Sequence, residues 1–434
     1  DITDNNQDIE ALYACDMALQ YFPNAVPLLF AKSELLFQQQ KYGQTLQLLE
    51  RVNEIDPQFL DAILLKSEVL VAQKKPEEAA IFLTEKIELA TDRNKIDMLL
   101  ELSDVYDESG NYELIFEVLE RVLSIDCRND EALHKISFWS DFAGLQERSI
   151  KIFSKIIDND PYNAIAWFNL GVAYQGLKNY KEAIEAYEYC VAIDDTFEFA
   201  YRNLADAYIR MKWYEKAIES LQKNLELGNP EDVLFEAIGH CFDKQKDYEN
   251  ARLYYRKAVQ LNPGDDQLYY KIGETYYKEK AFENAAKSFG VALNLNKEVP
   301  VYNVALANSL LELGAGAIDI LDLFVQAIKL KPNNKNTWIA FLKALYKLEM
   351  YDDVIEELQL AEEVFQLKSE FLYIKVATLF KLGRTKEALL QLHDALTISP
   401  TKVKLLIELY PEALQRKAVS NMIATFKKRG KTDD

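Results

Sequence analysis

The sequence predicts an all-α fold in which pairs of helices stack into a long array. The first observation is a repeated block, because the segment Tyr180-Lys-Glu-Ala-Ile is followed 34 residues later by Tyr214-Glu-Lys-Ala-Ile. Shorter copies of this block begin at Tyr248 and Phe282, again 34 residues apart. A fixed period of this length is typical of stacked helical repeats.

The prolines give a second observation with the same period. A proline inside a helix removes a hydrogen bond and clashes with the preceding turn, so we interpret these prolines as the ends of second helices. Every gap between them lies within two residues of a multiple of 34. They are Pro23, Pro57, Pro161, Pro263, Pro332 and Pro400.

The elements follow in order from these two periods. Residues 1–25 are expected to form a lone second helix. Ala11 and Ala18 stand where second helices carry small residues, and Pro23 stands where second helices end in proline. Eleven helix pairs are then predicted over residues 26–402. Their first helices should begin near Val26, Leu60, Ile96, Asp130, Ala164, Glu198, Asp232, Asp266, Pro300, Lys335 and Ser369.

Two irregularities and a C-terminal cap complete the prediction. A two-residue insertion is placed in the loop Thr91–Asn94, and a single inserted residue near the turn Gly314–Gly316. Residues 403–434 are expected to cap the array with a helix over Val403–Tyr410, a second helix over Glu412–Arg429 and a tail of mixed charge.

Helix pairing follows from the positions of apolar and small residues, counted from the first residue of each pair. Positions 4, 7, 8 and 11 share one stripe of a helix, and in the fifth pair they are Trp167, Leu170, Gly171 and Tyr174. Glycine at position 8 and alanine at position 20, as at Ala183, allow the two helices to approach closely.

This pattern resembles the tetratricopeptide repeat family along nearly the whole chain. The residues that carry the resemblance are Trp167, Leu170, Gly171 and Tyr174, followed by Ala183 and Tyr187, where Tyr187 replaces the usual phenylalanine. The resemblance implies a right-handed α-α superhelix, a solenoid of about eleven helix pairs. It also implies a concave groove that holds an extended or helical peptide.

Composition narrows the classes of partner and compartment. Fifty Lys and Arg against seventy Asp and Glu give a net charge of −20, which disfavours nucleic acid and anionic membranes as partners. Four separate cysteines without a C-x2-C pair fit a reducing compartment, with the cytoplasm as default. The most apolar run, Leu310–Ile328, is interrupted by acidic residues, so membrane insertion is not expected. The chain begins without Met, and a leader upstream stays open.

The sequence offers no pattern for catalysis or for a cofactor. His134, His240 and His393 are 106 and 153 residues apart and form no acid–base or metal cluster by spacing. A nucleophile elbow, a P-loop and a dinucleotide fingerprint are absent from the sequence. We therefore predict a protein that is not an enzyme and that has no metal or cofactor.

The resemblance assigns positions 2, 5, 6, 9, 12 and 13 of each first helix to the groove. Early in the chain these positions are acidic, at Glu34, Glu68, Asp97, Glu101, Asp104, Asp107 and Glu108. Later positions are aromatic and basic, and include Lys278, Tyr373 and Lys381. The candidate peptide-binding residues are Phe168, Asn169, Phe199, Arg202, Asn203, Arg210, Tyr270, Lys271, Tyr277, Lys343, Tyr346 and Lys347.

Asn169 and Asn203 both occupy position 6 and resemble the asparagines that bind peptide backbone in O-linked N-acetylglucosamine transferase and kinesin light chain. An amide both donates and accepts a hydrogen bond, so it can hold a peptide unit of any sequence. The family's two-carboxylate clamp is matched only by Asn203 and Lys271, and that activity is not carried over.

These observations predict a non-enzymatic scaffold that binds a peptide or protein segment in its groove. A sharper hypothesis places an acidic or C-terminal end against Arg202, Lys271, Lys343 and Lys347. One alternative is self-association through the first or the capping helix, which light scattering of a monomer at high concentration would exclude. Another is that the array is the recognition arm of a larger enzyme or regulator, with its other domain upstream of Asp1.

Overall fold

The computed structural model describes residues 2–365 and 369–429. Throughout this part of the chain all regular secondary structure is helical, which confirms the predicted all-α repeat fold. Asp1 and the predicted tail over residues 430–434 lie outside the described residues. The chain divides into two compact units, residues 1–228 and 229–434, which are treated separately below.

Unit 1, residues 1–228, alternates first and second helices in the predicted order. Its described helices are α1 (Ile2–Tyr21), α2 (Val26–Gln38), α3 (Tyr42–Ile55), α4 (Leu60–Ala72), α5 (Pro76–Leu89), α6 (Asp92–Glu108), α7 (Tyr112–Ile125), α8 (Asp130–Ala143), α9 (Gln146–Asn159), α10 (Ala164–Gly176), α11 (Tyr180–Ile193), α12 (Glu198–Arg210) and α13 (Tyr214–Leu227).

Unit 2, residues 229–434, continues the alternation to the C-terminal segment. Its described helices are α14 (Asp232–Lys244), α15 (Tyr248–Leu261), α16 (Asp266–Lys278), α17 (Phe282–Leu295), α18 (Pro300–Leu313), α19 (Ala317–Leu330), α20 (Lys335–Lys347), α21 (Tyr351–Phe365), α22 (Ser369–Lys381), α23 (Thr385–Ile398), α24 (Lys404–Leu409) and α25 (Lys417–Arg429). Short 3₁₀ turns, Pro400–Val403 and Pro411–Gln415, flank α24.

The first helices begin where the sequence predicts, with one exception. Helix α6 begins at Asp92 and not near Ile96, because the two inserted residues extend the helix instead of lengthening the loop. Thr91 is extended and its carbonyl accepts the amide of Lys95, so the helix already turns at this point. The prediction of a loop over Thr91–Asn94 is therefore wrong.

The C-terminal segment also differs from its prediction. A helix from Glu412 was expected, but Pro411 opens a 3₁₀ turn and α25 begins only at Lys417. Arg416 is extended between the two, which breaks the helical path. Ala413, Val419 and Ile423 are nevertheless buried, so this segment packs onto unit 2.

The turns between first and second helices share one backbone feature. Each contains a residue with a left-handed, positive φ, and the following amide donates to a carbonyl five residues back, as from Lys75 to Leu70. This pattern is the Schellman ending of a helix, in which glycine is favoured. The positions are Gln40, Lys74, Gly110, Gly144, Lys178, Lys212, Lys246, Lys280, Gly314, Glu349 and Gly383. Successive positions are 34 residues apart, except that 36 residues separate Lys74 from Gly110 and 35 separate Gly314 from Glu349. These two longer intervals contain the two predicted insertions.

Substitutions at these turns should change stability in opposite directions. Lys246→Gly is expected to stabilise unit 2 by about 0.5 kcal/mol, because a left-handed residue with a Cβ costs ~1 to 2 kcal/mol and part of this gain is offset by unfolded-chain entropy. Gly383→Ala, at φ 75°, should destabilise it by about 1 kcal/mol. Urea unfolding of both variants checks the pair, and equal signs would contradict the strain argument.

Close packing within each helix pair depends on small residues facing aromatic rings. In unit 1 a Cβ added at Gly171 would lie 2.5 Å from Cε1 of Tyr187, whose side chain is fully buried. The predicted role of glycine at position 8 is therefore correct here. Phe116 and Phe153 fill the core of unit 1, as Phe324 and Phe371 fill that of unit 2.

The four cysteines differ in burial. Cys190 and Cys241 are buried, whereas Cys15 and Cys127 are half-exposed, and all four are free thiols. Burial raises the pKa of Cys190 and of Cys241 to about 12, so neither is a reactive thiolate at neutral pH. Within the described ranges no helix combines the length and apolarity that a membrane span requires.

Candidate functional site

Unit 2 contains two adjoining cavities that share Tyr277 and Asn308 as a common wall. We refer to the two together as the aromatic groove. The smaller cavity has a volume of about 210 Å³ and is lined by Tyr270, Glu274, Tyr277, Lys278, Phe289, Val301, Val304, Ala305 and Asn308. The larger has a volume of about 530 Å³ and is lined by Tyr277, Asn308, Leu311, Glu312, Ala340, Lys343, Ala344, Tyr346, Lys347, Glu408 and Leu409.

Helix spacing explains why these side chains meet. The groove lies along the first helices α16, α18 and α20, which are separated by one repeat each, and α24 closes its far end. Positions 2, 5, 6, 9, 12 and 13 of α18 all line the groove. They are Val301, Val304, Ala305, Asn308, Leu311 and Glu312.

The wall of the smaller cavity is a cluster of aromatic rings. Tyr270 lies 5.4 Å from Phe289 and 5.3 Å from Tyr302, measured between ring centroids. Burial raises the pKa of Tyr270 well above its usual range, and the charge of Glu274 raises it further. Burial and the carboxylate of Glu312 also raise the pKa of Tyr277. Both hydroxyls therefore stay protonated, and that of Tyr270 donates a hydrogen bond to the carboxylate of Glu274.

Asn308 lies between the two cavities and is half-buried. Its side-chain amide makes no hydrogen bond to any residue in the described ranges. An amide donates and accepts, so Asn308 offers both halves of a hydrogen-bond pair to a peptide backbone.

The basic residues of the groove are already paired. Lys343 Nζ lies 2.8 Å from a carboxylate oxygen of Glu408, and Lys347 Nζ lies 2.8 Å from one of Glu312. Lys278 pairs with Asp243 at 2.7 Å. Lys271, which does not line the groove, pairs with Glu236. The positive wall that the sequence predicts is therefore balanced by carboxylates of unit 2, which the sequence positions alone did not show.

Two tyrosines and one lysine that the sequence assigns to the groove make other contacts within unit 2. Tyr346 is buried with its ring edge-on to Tyr351, at 5.4 Å. Tyr373 is fully buried and its hydroxyl donates to the carbonyl of Ser399, so it belongs to the core and not to a groove surface. Lys381 Nζ lies 5.4 Å from the ring centroid of Tyr410.

The asparagines predicted to bind peptide backbone make internal bonds in unit 1. Asn169 is only 1% exposed, and its side-chain nitrogen donates to the carbonyl of Leu133 at 3.1 Å. Asn203 is half-buried and hydrogen-bonds the hydroxyl of Tyr187. Asn169 thus joins two neighbouring first helices, because position 6 of α10 faces α8 here and not solvent.

The other candidates of unit 1 are spread over α10 and α12. Phe168 packs on Phe197, with ring centroids 5.0 Å apart, and Phe199 is exposed. Arg202 is half-buried, and Arg210 lies 3.6 Å from a carboxylate oxygen of Asp206. These side chains lie in a different unit from the aromatic groove.

The structure therefore brings together five of the twelve predicted residues, namely Tyr270, Tyr277, Lys343, Tyr346 and Lys347. Sequence reasoning missed Asn308, Val301 and Val304. All three occupy groove positions, namely 9, 2 and 5 of their helix. The sequence prediction chose mainly charged and aromatic residues at these positions and so passed over an amide and two valines.

Known families and structures show similarity to this chain. Family models described as tetratricopeptide repeat match residues 36–102, 164–197, 200–227 and 237–265. No curated protein matches the chain.

Three solved structures illustrate the similarity in fold. The C-terminal part of a TPR repeat-containing protein from Cytophaga hutchinsonii is 19% identical, with 56% of this chain and 99% of that chain covered and a TM-score of 0.46. MamA is 25% identical, with 37% and 95% covered and a TM-score of 0.36. A chain of the APC/C heterotetramer Cut9-Hcn1 is 14% identical, with 94% and 88% covered and a TM-score of 0.38.

Proposed function

The chain is a tetratricopeptide repeat protein, and we propose that it is a non-enzymatic interaction scaffold that binds an apolar protein segment in the aromatic groove. The observation that carries this proposal is the side-chain amide of Asn308, which makes no hydrogen bond to any described residue and lies between a mostly apolar cavity and a charged one.

The smaller cavity suits one side chain of a peptide. Its volume of about 210 Å³ is below the roughly 300 to 1,000 Å³ that small-molecule sites occupy. Its walls are mostly rings and aliphatic side chains such as Phe289 and Val304, with Glu274 and Lys278 also lining it, so an aliphatic or aromatic side chain of the partner would be buried there. Burying one such side chain contributes about 1.5 to 3 kcal/mol.

The larger cavity suits the polar part of the same segment. Lys343, Lys347, Glu312 and Glu408 provide both signs of charge, so the segment is not required to be acidic. An acidic end would have to displace Glu408 or Glu312 from its lysine. The proposal therefore relies on the apolar anchor and on Asn308, and the acidic-ligand version is the less supported of the two.

The test begins with random peptides displayed on phage and selected against the whole chain. The affinity of the selected peptides is then measured by fluorescence anisotropy for wild type and variants. Val301→Arg is expected to weaken binding at least tenfold, because Val301 lines the smaller cavity. Asn308→Ala should weaken it about fivefold, which corresponds to about 1 kcal/mol for one hydrogen bond.

A matched control comes from the second helix α17. Val291→Arg makes the same change at a valine that is 39% exposed, against 44% for Val301, but Val291 does not line the groove. Its affinity should equal that of wild type. Selected peptides that bind the Val301→Arg and Asn308→Ala variants as tightly as wild type would overturn the proposed site.

A further inference from the structure

Unit 1 exposes an aromatic patch on helix α8 that the groove of unit 2 does not involve. Phe138 and Phe142 are 63% and 66% exposed, although both are large apolar side chains. They lie parallel with ring centroids 6.5 Å apart, and Trp139 and Tyr112 support them from behind at 5.0 to 5.6 Å. Exposed rings that are clustered and held in place are typical of interaction surfaces.

The adjacent helix α6 presents carboxylates beside this patch. Lys135, one turn before Phe138 on α8, contacts Asp104 of α6 at 2.8 Å, which fixes the two helices side by side. Asp104, Asp107 and Glu108 are exposed on α6. Asp104, Asp107 and Glu108 form an acidic face on α6, and the ion pair between Lys135 and Asp104 joins α6 to the helix that carries the aromatic patch.

The carboxylates of this face interact unfavourably with one another. Burial raises the pKa of Glu101, and the charges of Glu68 and Asp104 raise it further. Burial likewise raises the pKa of Asp107, with Glu108 and Asp104 adding to the effect. Lys135 is paired with both Asp104 and Glu131, so its charge is already used. A cation brought to this face would relieve repulsion that unit 1 retains by itself.

We propose that α6 and α8 form a second docking surface, which binds a positively charged protein segment carrying an aromatic or aliphatic side chain. Charge complementarity selects the occupant, because exposed Asp104, Asp107 and Glu108 attract Lys and Arg side chains. Phe138 and Phe142 add an apolar contact for the segment's anchor, and their faces also attract the cationic heads. The surface is separate from the aromatic groove, so the two sites can fail independently.

The probe is a fluorescein-labelled peptide of lysine and arginine residues around a single phenylalanine. Binding to the whole chain is measured by fluorescence anisotropy. Phe138→Ala with Phe142→Ala is expected to weaken binding about tenfold, and Asp104→Asn with Asp107→Asn by a similar factor. The acidic variant should also show a smaller loss of affinity between about 50 and 200 mM NaCl, because fewer charges are screened. Replacing the phenylalanine of the probe by alanine should weaken its binding to wild type.

Matched variants separate this surface from general charge attraction. Phe22, between α1 and α2, is 66% exposed, so Phe22→Ala removes an equally exposed ring elsewhere in unit 1 and should leave affinity within about twofold. Val301→Arg should also leave it unchanged, because it disables only the groove of unit 2. Circular dichroism of each variant verifies folding, and the single variant Asp107→Asn replaces any double variant that fails to fold.

Two results would overturn the proposal. The first is that the basic probe does not bind wild type at about 50 mM NaCl, where surface attraction is strong. The second is that binding is equally strong after Phe138→Ala with Phe142→Ala, or equally weakened by Phe22→Ala. The first result would leave the acidic face without the proposed partner, and the second would remove the aromatic patch from the site.

Discussion

Replacing Gly273 with alanine is expected to destabilise unit 2 by up to about 2 kcal/mol. The new Cβ would lie 2.5 Å from Cε1 of Phe289, far inside van der Waals contact. Phe289 is buried and packs against Tyr270, so its ring has little room to move. Overpacking of this kind costs about 1 to 3 kcal/mol, and the gain of about 1 kcal/mol in helix propensity offsets only part of it.

The control for this prediction is Gly290→Ala in helix α17. Gly290 also lies inside a helix of unit 2, but no atom outside its immediate neighbours lies within 4 Å of a Cβ built there. Alanine should therefore stabilise unit 2 by about 0.5 to 1 kcal/mol through helix propensity alone. Urea unfolding measures both values, and a stabilised Gly273→Ala variant would contradict the described contact between the two helices.

Replacing Asn169 with aspartate is expected to destabilise unit 1 by about 3 kcal/mol or more. The side-chain nitrogen of Asn169 donates to the carbonyl of Leu133, and the residue is almost fully buried. A carboxylate at this position would lose the donor, face a carbonyl oxygen and bury an unpaired charge. Removing the partner of a buried charge costs about 3 to 5 kcal/mol.

Asn203→Asp is the matched control, because Asn203 occupies the same repeat position and is half-buried. Its cost should be less than half that of Asn169→Asp, since water can reach the new carboxylate. Hydrogen exchange measured by mass spectrometry locates the loss, which is expected in α8 and α10. If Asn169→Asp is as stable as wild type, its amide is free and a role in peptide binding regains support.

Local spacing was enough to predict most of the fold. The block that begins at Tyr180 and Tyr214, together with Pro57 and Pro161, fixed where first helices begin, because helix ends and tight turns depend on residues close in sequence. The two exceptions are α6, where the repeat carries two extra residues, and α25, which lies beyond the last predicted helix pair. There the choice between a longer loop and a longer helix depends on packing, which spacing does not encode.

The sequence by itself determined that this protein is an array of helix pairs and which positions of each first helix share a face. Only the tertiary structure decided what those positions do. Asn169 forms a hydrogen bond that joins α8 and α10, and Tyr373 is buried in the core. Lys343 forms an ion pair with Glu408, which is 65 residues further along the chain. The reason is physical: helix period is a property of neighbouring residues, whereas burial, charge pairing and an unbonded amide such as Asn308 depend on contacts between residues distant in sequence.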